Sequence, residues 1–246
     1  MDRIIKLTLG LFVILLVSFV AVTAYNGYVG QAYRSTLSST YSYTCTLSTN
    51  SPLTNVTLFL PVPADPTGNS PVIERMSAQQ IPGIPDTWRT ELYETGKGTF
   101  VKVTASEIIP PAGTTTKDPY TITLSADIPS KRLIDTRDPV AGTPLFRPAQ
   151  GLKPVACHDR AAGAAGGQCF TYLTTLYAKY ETDPNAAVTF RSDLTGKNSW
   201  TIFEPRTNEY RTSAYLLMFG EQKGWTPVAG YLEQGIGAYD APALDS

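Results

Sequence analysis

The sequence is poor in side chains that do chemistry. It has one histidine and three cysteines in 246 residues. The histidine, His158, lies in a run of small residues, "HDRAAGAAGGQ", that offers a general base little rigidity, and no G-x-S-x-G elbow supplies a nucleophile. A Ser–His–Asp hydrolase is therefore disfavoured, and His158 reads as a solvent-exposed loop residue. Cys157 beside His158 is two ligands, which do not make a metal site. "GKG" at Gly96 and "GIG" at Gly235 lack the rest of any nucleotide-binding fingerprint and read as turns. Charge is scarce too: 17% of residues are charged, against about 25% in ordinary globular chains. With a net charge of −1 there is no electrostatic footprint for nucleic acid. No cofactor, metal or catalytic residue is assigned. The acids nearest to a glycosidase pair, which needs carboxyls about 5–10 Å apart, are Asp135 with Asp138 and Glu91 with Glu94; Arg137 and Arg89 beside them offer simple pairing instead. "ADPTGN" echoes a calcium loop with a single carboxylate, Asp65, and reads as a turn.

Long apolar runs are also few, because there is only one. "LTLGLFVILLVSFVAVTA" extends from Leu7 to Ala24 without a charge, preceded by Arg3 and Lys6 and followed by Tyr25 and Tyr28. A bilayer core of about 30 Å needs about 20 apolar residues as helix, with about 17 at the low end. The basic flank predicts an inside N-terminus, and the tyrosines sit where an interfacial aromatic belt belongs. No acidic residue falls between Asp2 and Asp65. The competing reading is a secretory signal peptide cleaved after Val22 and Ala24, whose apolar core is usually shorter, about 7–15 residues. Both readings export the rest of the chain. The predicted organisation is an anchor over residues 1–24, a stalk over 25–39 and an extracellular domain over 40–246. The anchor's partner is the lipid bilayer, and the location is the cell membrane, crossed once.

What is present is β chemistry: Thr, Ser, Tyr, Gly and Pro stand where charge is missing. "YSYTCTLS" puts Tyr41, Tyr43, Cys45 and Leu47 on one side. After the turn "NSPLTN", "VTLFLPVP" puts Val56, Leu58, Leu60 and Val62 on one face, and the pair reads as a hairpin. Pro61 and Pro63 place that strand's end at an edge or outside the sheet. "SPVIERMSAQQ" predicts a short helix capped by Ser70 with Pro71 in its first turn. "TFVKVTASEIIPP" and "YTITLSADIP" return to strand, and residues 129–168 form a long connection, packed down or functional. "CFTYLTTLYAKYE" is ambiguous by period and strand by composition. "AVTFRSDL", turn "TGKN" and "SWTIFEP" read as one hairpin; "EYRTSAYLLMF", turn "GEQKG" and "WTPVAGYLEQG" read as another, and the last third as a whole reads as a meander. The expected fold is mainly β, an antiparallel sandwich of about nine strands behind one transmembrane helix.

The anchor with "NVTLFLPVP", "IDTRDP", "KNSWTIF…NEYR" and "GWTPVAGYLEQGIGAYD" resembles a group of uncharacterised, membrane-anchored surface proteins of archaea, of the methanogen and halophile type. The resemblance implies location and β architecture and carries over no catalytic residue. Three features remain as candidate sites. Cys157 and Cys169 flank a flexible loop and form a candidate disulfide, worth roughly 3 kcal/mol for a loop of this order; Cys45 is left as a small buried apolar residue, although three cysteines allow three single bridges. Asn55-Val56-Thr57 is the sole N-glycosylation sequon. Trp88 and Trp225, and by position Trp200, are candidate platforms for stacking sugars, with core packing as the alternative. The function expected is structural or interactive at the cell envelope, towards another envelope protein or a glycan. The alternatives are a carbohydrate-binding module and, behind it, a glycoside hydrolase.

Overall fold

The computed structural model describes residues 2–77, 82–96, 98–138, 144–157 and 167–239. Helix α1, Asp2–Thr36, is one continuous element, so the predicted stalk is largely the helix carried on past the apolar run. Strand β1 (Ser38–Thr49) follows almost at once, then β2 (Leu53–Pro61), β3 (Pro63–Ala64), helix α2 (Pro71–Ser77), β4 (Arg89–Thr95), β5 (Gly98–Ile108) and β6 (Tyr120–Ser130). Short β7 (Leu145–Phe146) and β8 (Gln150–Val155) lie within the long connection, and β9 (Gln168–Glu181), β10 (Ala187–Thr201), β11 (Pro205–Phe219) and β12 (Gln222–Gly237) complete the chain. Among the described residues the strands make an antiparallel sheet in the order β4-β5-β2-β9-β12-β11-β10-β1-β6, with β8 also on β9, and a two-stranded pair β3-β7.

The sheet curls on itself in a sandwich-like arrangement. The period-2 pattern drives this: β1 turns Tyr43, Cys45 and Leu47 inward, β2 turns Val56, Leu58 and Leu60, and all of them enter one core with Leu176, Phe190, Leu194 and Tyr210. Each large apolar side chain fully removed from water contributes roughly 1.5–3 kcal/mol. The two sheet edges are bridged by α2, which lies against both β4 and β6. Its Ile73 amide donates to Ser70 Oγ (3.2 Å), the cap expected from sequence. Next to it the backbone at Gly83 runs so close to Thr123 that a Cβ at Gly83 would lie 2.1 Å from the Thr123 carbonyl oxygen.

Three sequence expectations about the strands give way. β1 and β2 are not a hairpin: β1 pairs with β10 and β6, and β2 pairs with β5 and β9. Alternation fixes which face is buried, not which neighbour a strand takes. "TGKN" is not a turn but the middle of β10, a 15-residue strand. Gly196 is there because the ring of its cross-strand partner Tyr210 lies over it; a Cβ at Gly196 would fall 2.2 Å from that ring. Gly230 on β12 repeats the device under Tyr172 of β9, at 2.4 Å. Finally, β9 does not join β10 in a meander but pairs with β12, so β9 to β12 form a Greek key. The predicted departure of β2 at its prolines holds: pairing with β9 ends at Phe59, and the chain passes through Pro63 into β3.

The long connection after β6 is packed down by a buried amide network. Asn198 Oδ1 accepts from Ser39 Oγ (2.6 Å) and from the Ile134 amide (3.1 Å), while its Nδ2 donates to Ile134 O and to Asn208 Oδ1, both at 2.8 Å. Asn208 Oδ1 also accepts from Thr136 Oγ1 (3.0 Å). Each buried polar atom here has a partner, which is what lets a polar cluster sit inside the end of a sheet.

Candidate functional site

The outward face of the sheet carries a row of aromatic rings. Because Leu58 and Leu60 point inward, Phe59 points out. The register sets Phe59 opposite Tyr177 of β9, and Tyr177 opposite Trp225 of β12. Ring centroids are 4.9 Å apart for Phe59–Tyr177 and 5.5 Å for Tyr177–Trp225. Tyr93 of β4 stacks on Phe59 at 4.8 Å, and fully buried Phe100 meets Trp225 edge-on at 5.1 Å. Lys102, opposite both Phe59 and Glu91, lies 5.9 Å from the Tyr93 ring and pairs with Glu91 at 3.3 Å. The result is a shelf of offset ring faces with one ion pair at its rim. It offers stacking and apolar contact to a planar or pyranose-like face.

Of the tryptophans considered as platforms, only Trp225 belongs to this shelf. Trp88 is 8% exposed and joins the core, its amide held by Pro85 O (2.9 Å) in a turn that folds the ring inward. Trp200 is 2% exposed and packs edge-on against Tyr33. Sequence reasoning missed Phe59, Tyr93 and Tyr177. The signal for Phe59 and Tyr177 was their place opposite inward-facing positions on strands whose neighbours were unknown.

The other candidates are distributed elsewhere. Cys157 and Cys169 form the expected disulfide, tying the end of β8 to the start of β9. Glu233 approaches these sulfurs, but a disulfide offers a metal no thiolate. His158 lies outside the described residues. Asn55 is exposed, at a β-bulge with a positive φ of 54°, and its Nδ2 donates to Glu181 Oε1 (3.1 Å). Two of the acids weighed for glycoside chemistry, Asp135 and Glu91, have local partners. Asp135 Oδ1 accepts from the amides of Arg137 and Asp138, both at 3.0 Å, Glu91 pairs with Lys102, and Arg137 lies over the Tyr239 ring at 4.2 Å. Asp65 closes the turn read from "ADPTGN": burial pushes its carboxyl pKa up, but hydrogen bonds from Thr67 and Asn69 outweigh that and hold it below the usual value.

Buried acids of a weaker kind give the domain an alkaline limit. Burial pushes the Cys45 thiol from its ordinary 9.0 up to about 12, and burial, then the nearby Asp65 charge, does the same for Tyr41 from 10.0. Burial raises Tyr43, Tyr172 and Tyr210 as well. The folded state keeps these protons while the unfolded chain releases them, so between about pH 9 and 12 the unfolded form binds fewer protons and stability falls as pH rises. By pH 11 Cys45 alone is expected to remove on the order of 2 kcal/mol. Denaturant midpoints should be flat from pH 7 to 8.5 and drop above 9, with Cys45 unreactive to iodoacetamide until the chain unfolds. A midpoint unchanged at pH 11 contradicts this.

At one end of the sheet α1 is built into the domain. Tyr33, 3% exposed, packs edge-on to Trp200 with centroids 5.7 Å apart. Thr36 Oγ1 donates to Thr201 O and accepts from the Thr201 amide, both at 2.9 Å. Further up the helix the situation reverses: the large apolar side chains from Ile4 to Val22 are 48–76% exposed on every side. Among the described residues this is the one helix long and apolar enough to cross a membrane. The chain is thus a curled, antiparallel β-domain fused to a long helix whose apolar run from Ile4 to Val22 is left exposed by the described residues of the domain. No protein-family model matches it, and no curated protein or solved structure matches it either.

Proposed function

We propose that this is a single-pass membrane-anchored surface protein, with α1 across the bilayer, Arg3 and Lys6 inside, and the β-domain outside in a structural or interactive role at the cell envelope. The observation that carries this reading is the apolar run from Ile4 to Val22, exposed on every side and continuous through α1 with the domain, since a bilayer removes such a surface from water. The disulfide supports an oxidising exterior. The chain should stay in the membrane pellet after alkaline carbonate washing and move to the supernatant when residues 2–24 are deleted. Recovery of the full chain in the soluble fraction contradicts the reading.

The aromatic shelf favours one second reading, a carbohydrate-binding role for the same exposed domain. On a glycan array, Trp225→Ala and Tyr177→Ala should each abolish any binding shown by the parent protein, whereas Phe219→Ala, exposed at the opposite sheet end from α1, should leave it unchanged. Binding that survives both shelf substitutions removes the shelf from consideration.

A further inference from the structure

The β10–β11 connection at residues 202–204 extends back along α1. Phe203 at its tip is 70% exposed, more than any other large apolar side chain outside α1 among the described residues. Its ring lies 6.3 Å from that of Tyr25 and 6.1 Å from that of Tyr28. These two tyrosines stand immediately past the apolar run ending at Ala24, which as helix is about 27 Å long and matches a hydrocarbon core of about 30 Å. Tyr25 is about 16 Å along the helix axis from Thr36, where the domain is joined. Phe203 is therefore level with the tyrosines that would form the aromatic belt, while the body of the sheet stands farther from the lipid. Between the tip and the helix is a cleft of about 680 Å³, lined by Asn26, Val29, Ile202 and Phe203 among others. Beside it Glu204 and Arg206 pair at 2.8 Å and give the tip a polar shoulder.

From this geometry we propose that the β10–β11 tip is a second membrane contact, seating Phe203 in the interfacial layer of the outer leaflet and setting the tilt of the domain. The proposal rests on α1 being a membrane anchor, and adds to that reading a lipid-binding element within the β-domain. An exposed Phe at this depth buries apolar surface in lipid that water otherwise meets. With helix and hairpin both seated, the domain is held at two points instead of swinging on one.

The test uses the full chain in vesicles of phosphatidylcholine and phosphatidylglycerol, carrying a lipid spin-labelled near the head of its acyl chain. Cys45 is buried and the other two cysteines are bridged, so an added cysteine takes an environment-sensitive fluorophore alone. Three positions are compared: Phe203→Cys, Val20→Cys within the helix, and Lys117→Cys in the turn before β6, at the far end of the sheet. The expected result is quenching at 203 several-fold above that at 117. Equal quenching at 203 and 117, with strong quenching at 20, overturns the hairpin contact and leaves the anchor standing. Absence of quenching at 20 overturns the anchor, and the hairpin contact with it.

Discussion

Gly196→Ala is expected to destabilise the domain by about 2–3 kcal/mol, the usual cost of overpacking a filled site. That lowers the melting temperature by roughly 4–12 °C for a chain of this size. The backbone at Gly196 is not in the left-handed region, so Ala meets no conformational penalty there; the whole effect comes from the Tyr210 ring 2.2 Å from the new methyl. Tyr210 cannot step aside easily. It is fully buried, and its hydroxyl donates to Pro144 O at 3.0 Å. The clash predicts strong non-additivity: in a Tyr210→Leu background, which removes the ring from above the glycine, Gly196→Ala should cost less than half as much. Gly96→Ala, with nothing within 4 Å of its Cβ, is the control and should be near neutral. Equal effects of Gly196→Ala in both backgrounds would show that the glycine is required for some reason other than the ring.

Asn198→Leu should be more damaging. It removes both partners of the Ile134 backbone, the acceptor of Ser39 Oγ and one donor to Asn208 Oδ1, all at buried positions. A buried polar group left without a partner costs about 1–3 kcal/mol, so two or three of them amount to roughly 3–5 kcal/mol even after the gain from an apolar side chain. The damage should also be local first. Amide exchange should accelerate around Ile134 and Thr136, where the connection after β6 is tied down, before it does in the centre of β9 or β10. A variant that melts within about 2 °C of the parent, less than the shift from 1 kcal/mol, contradicts the reading of this network as the clasp of the connection.

Those two residues also show how far the sequence could be read. Alternation assigned faces correctly along β1 and β2, because burial acts on every second residue whatever the strand's neighbours are. Pairing partners were illegible: the rule that adjacent strands pair fails for β1 and β2, whose actual partners lie far along the chain. Gly196 followed by Lys197 and Asn198 looked like turn chemistry. Its meaning depends on Tyr210 across the strand pair and on Ile134 from a distant connection, and neither is within a local window. The helix cap at Ser70, the departure at Pro61–Pro63 and the Cys157–Cys169 bridge were legible because each is decided by a few adjacent residues or a short closed loop. The aromatic shelf was visible only as Trp225, since a site made across five strands exists only once their order is known.

The central claim is that α1 crosses a bilayer with the β-domain on the outer side, and sidedness of lysine labelling tests it most directly. Intact cells producing the full chain are treated with a membrane-impermeant amine reagent, and modified peptides are compared with those from permeabilised cells. The account predicts that exposed Lys117 is modified in intact cells, and that Lys6 is recovered and modified only after permeabilisation. Protection of Lys117 in intact cells contradicts the orientation, and a mature chain lacking the Lys6 peptide contradicts a retained anchor.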